Sequence, residues 1–409
     1  HWEPWLTLTT VNSSVSATGQ TQFDAGHLDL CIGEHVTYML SIGLSRGSAH
    51  TVVSLGCDED HVDLTAFEIV FVGPHIANGS LLTGRMNASS SGACGVELGF
   101  GTLLNEATDE SSSRTMDGTL SAIAALNISY TVVLKNDFLE NVDGTAVDPV
   151  IVGTLECGEA STRTVSTAVD VVEPLLVTHA FKANASVVEA GTVVDFTVTV
   201  SNPAPAPNAT DVSTSSAFNV TIGPFMNGDM AFAEAWSTGA SAMRASVTPG
   251  DVVVGGVVVV DEIAVGETLD VHFVVVMQDS VYSGASFTTS ITGDWRSLPA
   301  AVAGPAREYT AQFGNVSTAI RNASLHLTLV NTSLRSSAFD MHESDVVDLA
   351  IGEQATYMAS IGMIRGSMNV SLTLQCRNTS FAWQRHAVTA VGAHVMNRSE
   401  YLRNDFNND

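Results

Sequence analysis

Positive charge is what this sequence has least of. Lys and Arg together number 16 among 409 residues, against 43 Asp and Glu, for a formal net charge of −27, and lysine occurs only as Lys135 and Lys182. Nucleic-acid binding needs clustered cations that displace phosphate counterions, and an anionic membrane surface asks for the same cations; neither is a partner of such a chain. Glu–Lys pairs of the kind that lace solvated helices are missing. No apolar run approaches the roughly eighteen residues of a membrane span. The nearest, DVVVGGVVVVDEIAV (251–265), is broken by two glycines and flanked by acids, so it reads as buried strands. Aromatics make up only 7% and mostly sit on alternating strands, rather than in clusters on loops where a binding receptor would present them. A start at His1, with neither Met nor a signal peptide, is expected of a processed or truncated chain.

Signatures of catalysis are missing as well. There is no G-x-S-x-G elbow, P-loop, H-E-x-x-H or dinucleotide fingerprint. The five cysteines include no C-x-x-C pair and no Cys/His cluster at zinc spacing, so metal ligation is not expected. CDEDHVD (57–63) gathers four acids beside a histidine and could hold Ca²⁺. No acid survives in the later copy of this stretch, CRNTSFA (376–382), so the reading is an exposed turn. His75 and His394 share one position of the same repeat and are expected to pack or hydrogen-bond at a strand end. No enzyme activity and no cofactor is expected.

What the sequence has is β-branched and small residues, the palette of pleated strands, and a long internal repeat. Residues 6–80 and 325–399 are identical at 27 of 75 positions with a fixed offset of 319, and 29–48 matches 348–367 at 14 of 20. Each copy holds a Gly-acid turn followed by strict alternation, with Val36, Tyr38, Leu40 and Ile42 on one face in the first. Period-two alternation of this length is a half-buried strand. A weaker echo, VVEAGTVVDFTVTVSN (187–202), alternates Val194, Phe196, Val198 and Val200. Late strands alternate Ile128, Tyr130, Val132 and Leu134, and again Val271, Phe273, Val275 and Met277. Two modules per period follow. The expected fold is all-β, tandem Ig-like Greek-key sandwiches: module A over 1–168, module B over 169–320, and a partial second A over 321–409, equivalent to about 2–90. The stretch HWEPWLTLTT (1–10) is expected as the first strand of module A, with a role as a strand donated to another subunit as the alternative.

Module B also resembles a known family. Lys182 on a first strand, Gly191 in a Gly-acid turn, Asn202 ending the next strand, and Gly266–Glu267 before a late strand are similar to the Ig-like conserved-repeat domains strung along surface and adhesin-type proteins. The resemblance implies β-sandwich spacers in surface or fibre proteins and no catalytic residues.

Asn-X-Ser/Thr sequons stand at Asn12, Asn78, Asn87, Asn127, Asn184, Asn208, Asn219, Asn315, Asn322, Asn331, Asn369, Asn378 and Asn397. In strands such as NISYTVVL and NVSLTLQC they alternate with the inward stripe, which places glycan on solvated faces. An extracellular or cell-surface location follows. There Cys31, Cys57, Cys94 and Cys157 are expected to pair. Cys57 recurs as Cys376 while Cys31 is replaced by Ala350, which points Cys57 to Cys94 or Cys157 and puts the partner of Cys376 outside the chain. The expected function is structural: a heavily N-glycosylated repeat of a fibre, sheath, flagellar hair or stalk that self-associates, with strand complementation as a route to polymers. The alternative is an adhesin or carbohydrate-binding receptor on sandwich spacers.

Overall fold

The computed structural model describes residues 4–15, 23–24, 27–44, 46–77, 95–106, 125–137, 139–158, 161–204, 214–223, 228–239, 245–248, 256–334, 349–368, 370–373, 381–382 and 384–395. Every regular element among them is a strand. The first sandwich contains β1 (Trp5–Ser13), β2 (Phe23–Asp24), β3 (His27–Cys31), β4 (His35–Gly43), β5 (Gly47–Cys57), β6 (Val62–Val72), β7 (Ile76–Ala77), β8 (Gly95–Asn105), β9 (Ala125–Leu134), β10 (Ala146–Cys157) and β11 (Ser161–Val172). The second contains β12 (Val177–Ala183), β13 (Val187–Val188), β14 (Val193–Ser201), β15 (Ala217–Ile222), β16 (Met230–Gly239), β17 (Ala245–Thr248), β18 (Val257–Ile263), β19 (Thr268–Met277), β20 (Ser286–Arg296) and β21 (Glu308–Ile320). A hairpin of β22 (Ser324–Thr332) and β23 (Ala355–Gly362) follows.

The two sandwiches share one topology. Sheet order β1-β4-β9-β6 in the first matches β12-β14-β19-β16 in the second. The facing sheet β2-β3-β11-β10-β5-β8-β7 matches β13-β21-β20-β15-β18-β17, each with a parallel pair (β3 with β11, β13 with β21) in an otherwise antiparallel ladder. These are Ig-like Greek-key sandwiches in tandem. The alternating residues fill both cores: Val36, Tyr38, Leu40, Ile42, Ile128, Tyr130, Val132 and Leu134 are buried in one, and Val194, Phe196, Val198, Val200, Val271, Phe273, Val275 and Met277 in the other. Early and late strands read from the sequence turn out to be neighbours, β4 on β9 and β14 on β19. Tyr38 and Tyr130 stack across that ladder with centroids 5.7 Å apart.

One turn recurs four times and explains the Gly-acid signature. Glu34, Thr192, Glu267 and Glu353 donate their amides to the carbonyls three residues back, Cys31, Glu189, Ala264 and Ala350. The third residue is Gly33, Gly191, Gly266 or Gly352, with φ between +77° and +85°, a conformation that penalises any Cβ. The fourth side chain then returns to the first amide: Cys31 N to Glu34 Oε2 at 2.9 Å, Ala264 N to Glu267 Oε2 at 2.9 Å, Ala350 N to Glu353 Oε2 at 2.8 Å, and Glu189 N to Thr192 Oγ1 at 3.1 Å. The acid is there to close a turn.

Residues His1–Ser367 form one compact unit and Met368–Asp409 another. In the second unit the expected strand at 369–376 is not formed among the described residues, and Val370, Leu372, Phe381, Val388 and Val391 are exposed. With no opposing sheet packed on it, an alternating stripe gains nothing from extended pairing.

Candidate functional site

The first sandwich joins the second through a buried polar clamp. Arg307 lies immediately before β21, is 3% exposed, and spends its whole guanidinium on the first sandwich and the connector. Nε donates to Asn136 Oδ1 (2.9 Å), Nη2 to the Asp137 carbonyl (2.7 Å), and Nη1 to the Asn141 carbonyl (2.9 Å) and the Glu173 carboxylate. A planar fork of five donors suits this better than any other side chain. Ser297 Oγ donates to the Ile32 carbonyl (2.9 Å), Asn136 Nδ2 to the Ala306 carbonyl (3.2 Å), and His35 Nε2 lies 2.9 Å from the Ala303 carbonyl. Beside these bonds, Val15, Cys31 and Val172 of the first sandwich meet Phe218 and Leu298 of the second in a small apolar cluster. Gly33 is required twice over: its φ is +83°, and a Cβ there would stand 2.7 Å from Leu298 Cδ1. Asp137 shapes the clamp loop by accepting from the amides of Leu139 (2.8 Å) and Glu140 (3.3 Å). Those amide bonds, Leu139's first, hold its carboxyl below the usual range. Burial pushes the nearby Asp143 up.

The second junction, from the second sandwich to hairpin β22–β23, is thinner and wetter. Ala190 N donates to the Arg365 carbonyl (3.2 Å), Ser367 N to the Val281 carbonyl (3.1 Å) and Ser367 Oγ to the Asp279 carbonyl (2.9 Å). Its ion pairs, Arg365–Asp279 at 3.4 Å and Arg321–Glu189 at 3.9 Å, join largely exposed side chains, a class that contributes little. Ile364 packs against the second core, and Gly366, at φ +127°, brings its backbone against the Val281 carbonyl.

Beyond that contact the hairpin is uncovered. Leu325 and Leu327 are each 59% exposed and Tyr357 47%. β22 and β23 form a two-stranded sheet with no third strand among the described residues.

Other expected sites fall as follows. Of the sequon asparagines, Asn12, Asn184, Asn315, Asn322 and Asn331 are exposed, and Asn127 and Asn219 are half-buried. Asn78, Asn87, Asn208, Asn369, Asn378 and Asn397 lie outside the described residues. Asn219 takes a left-handed φ of 50°, which Asn tolerates better than most residues. Asn12 and Asn331 each follow a bulge residue, Val11 or Val330, at the same place in the two hairpins. Lys182 is exposed on β12. His75 and His394 do not pack, because both are exposed. In the acidic stretch, Asp58 Oδ1 accepts from Asp60 N (3.1 Å), His61 Nδ1 lies 2.6 Å from Asn141 Oδ1, and Asp63 pairs with Lys135 at 3.2 Å, so the side chains of Asp58, His61 and Asp63 bond to protein. β1 pairs with β4 of its own sandwich, as the first-strand reading of this stretch expects; residues 1–3 lie outside the described residues.

Cys31 is a buried thiol 3.3 Å from Glu34 Oε2, and Cys157 carries a thiol that burial pushes up. On the β5–β10 ladder Cys57 faces Ile151 and Cys157 faces Thr51. Six positions are roughly 20 Å at about 3.4 Å per residue, beyond the reach of a bridge. Cys94 and Cys376 lie outside the described residues.

No family model matches this chain, and no curated protein does. Solved structures with similar folds include a protein titled BspA_C_WT (8% identity, 76% of this chain and 99% of that chain, TM-score 0.38). The 35 kDa C-terminal fragment of the major pilin GBS80 of Streptococcus agalactiae is another (9%, 76% and 91%, 0.25). A collagen adhesin of S. aureus is a third (10%, 76% and 94%, 0.18). Among the described residues no helix is long and apolar enough to cross a membrane.

Proposed function

We propose that the protein is a structural repeat of an extracellular fibre, sheath, flagellar hair or surface stalk, N-glycosylated along its outer faces and built to self-associate. The observation that carries this reading is the pair of unlike junctions within one period. A clamped joint fixes the two sandwiches to each other, and a turn of the next copy docks on the second. That docking turn, Arg365–Gly366–Ser367, recurs in the first copy as Arg46–Gly47–Ser48, where Gly47 has open space around it and Arg46 and Ser48 are exposed. A module of the second type would fit there as it does within the chain, so each period offers at its front what it uses at its rear. Such a heterologous contact builds an open filament when its rotation does not close a ring.

Exposed sequons on both sandwiches support glycosylation at Asn12, Asn184, Asn315, Asn322 and Asn331. A bridge between Cys57 and Cys94 is part of the proposal, supported by the pairing of Gly56 with Gly95, the residues next to them in sequence, in the β5–β8 ladder. Peptide mapping that recovered Cys57 joined to any other cysteine would refute that pairing.

Electron microscopy of the native material before and after deglycosylation tests the function. Filaments with an axial repeat of two sandwiches, thinned when sugar is removed, are expected. Isolated flexible beads of fixed length would sink the fibre reading and favour a receptor on sandwich spacers.

A further inference from the structure

The outer face of sheet β12-β14-β19-β16 is organised around one tryptophan. Val194, Phe196 and Val198 of β14 and Val271 and Phe273 of β19 are buried, which turns Asp195, Thr197, Thr199, Asp270 and His272 to the outer face. Phe181 and Ala183 of β12 pack against the same core, so Lys182, opposite Thr197, also stands outward. On β16, Trp236 is opposite His272, Glu234 opposite Val274 and Thr238 opposite Asp270. Trp236 is 37% exposed and stacks on the His272 ring, with centroids 4.8 Å apart and planes within 7°. His272 Nδ1 lies 3.2 Å from Asp195 Oδ2 and 3.3 Å from Thr197 Oγ1, so the imidazole that supports the indole is itself held. Beside it, Thr199 Oγ1 donates to Asp270 Oδ1 at 2.6 Å.

A sequon stands at the edge of this face. Asn184 follows β12, donates its amide to the Asp195 carbonyl (2.9 Å) and accepts the Asp195 amide on Oδ1 (3.1 Å). Those bonds seat the carboxamide beside Asp195, and its Nδ2 is the nitrogen that carries sugar. From Asn184 the face runs past Asp195 and His272 to Trp236. The path is three strand spacings of about 4.8 Å across and two residues of about 3.4 Å along, roughly 16 Å in all. The first few residues of a glycan laid flat span that distance.

We infer that the N-linked glycan of Asn184 lies back across this face and stacks a neutral pyranose on Trp236. A pyranose offers an apolar C–H face to an indole and hydroxyls to carboxylate, threonine and imidazole, the mixture that this face presents. Asp195, Glu234 and Asp270 outnumber Lys182, the one cation on the face, and oppose an acidic sugar or a phosphate. The imidazole stack holds the indole in one orientation before sugar arrives, which lowers the entropy lost on contact. Tethering raises the local sugar concentration to about the millimolar range, so a contact too weak to capture a free sugar is populated by the chain's own glycan. The inference rests on the N-glycosylation reading and adds where one glycan lies and what holds it.

The test uses the intact chain secreted from a glycosylating host and its Ser186→Ala variant, which removes the sequon and keeps Asn184 with its bonds. Mass spectrometry of glycopeptides gives the occupancy of Asn184. The indole N–H resonance of Trp236, assigned from Trp236→Phe, reports on the ring. A shift of that resonance between the two chains, with the other indole signals unmoved, is expected. In a second readout, Trp236→Ala should speed endoglycosidase trimming of the Asn184 glycan by roughly twofold to tenfold and leave trimming at the other occupied sequons unchanged.

An occupied Asn184 with an unmoved Trp236 resonance would overturn the inference and leave glycosylation standing. Sugar at other sequons with none at Asn184 would overturn it as well. So would trimming of the Asn184 glycan at one rate with and without Trp236. A chain bearing sugar at no sequon would remove the glycosylation reading and this inference together.

Discussion

Tyr38 and Tyr357 occupy the same position in two copies of one hairpin, yet the first is 1% exposed and the second 47%. Ile32 and Ile351, in the two copies of one turn, differ more widely still. Both hairpins have the same turn, the same bulge and the same ladder. Local sequence is therefore sufficient for the hairpin, whereas burial of its apolar face is conferred by strands far away in the chain: β9 at its edge, and β10 and β11 across the core. The same contrast separates the two junctions. One is buried and organised around Arg307; the ion pairs of the other stand largely in solvent.

The largest break in this comparison should come from the tyrosines. Tyr38→Ala should destabilise the first sandwich by about 3–5 kcal/mol, as removal of a fully buried aromatic does. Tyr357→Ala should stay within about 0.5 kcal/mol, as exposed substitutions do. Denaturant unfolding of the two variants reads the difference, and equal losses would mean that the second hairpin is covered in solution.

Next come the arginines. Arg307→Ala leaves Glu173 and two carbonyls facing an empty site and should cost about 3–5 kcal/mol in coupling of the sandwiches, while Arg365→Ala should cost under about 1 kcal/mol. Separate melting transitions for the two sandwiches in the first variant alone would bear this out. Arg307→Lys should behave like the alanine variant, because an ammonium cannot serve four acceptors in a plane.

A smaller contrast is expected between the glycines. Gly352→Ala meets only the backbone penalty of a left-handed residue, about 1–2 kcal/mol. Gly33→Ala meets that penalty and the Leu298 side chain, for roughly 1–3 kcal/mol more. A difference in melting temperature isolates the packing of the joint.

The smallest effect concerns pH. Asp137 has its folded pKa depressed by the Leu139 and Glu140 amides, so its contribution is present above the unfolded value near 3.9 and fades as pH falls through the folded value. Asp143, raised by burial, acts in the opposite sense over the carboxylate range. Asp137→Asn should flatten the acid limb of a melting-temperature profile, and an unchanged limb would remove this loop from the explanation.

Much of the fold could be read from residues 29–48 and their copies, because period-two alternation and a Gly-acid turn are both local physics. The sequons could be read as surface positions for the same reason, and Asn12, Asn184 and Asn331 are exposed. The joint was not legible in this way. Arg307 looks like any arginine in GPAREYT, and its four acceptors come from residues about 130 to 170 positions away. Its one sequence-level signal is scarcity, a cation beside a proline-bearing connector in a chain with few cations. The stripe Val370, Leu372 shows the opposite, since alternation alone does not make a strand where no facing sheet packs on it among the described residues. The histidines at 75 and 394 share a position in the repeat and both stand exposed, since a repeated residue at a loop needs no repeated partner.

The clamp around Arg307 also has a geometric consequence. A guanidinium is flat and rigid, and its acceptors here come from two separate segments, 136–141 and Glu173. Bonds spread around a plane oppose rotation about the long axis as well as separation along it. The joint therefore sets a torsion angle as firmly as it sets a distance. Loosening that one side chain would free the two sandwiches to twist about each other.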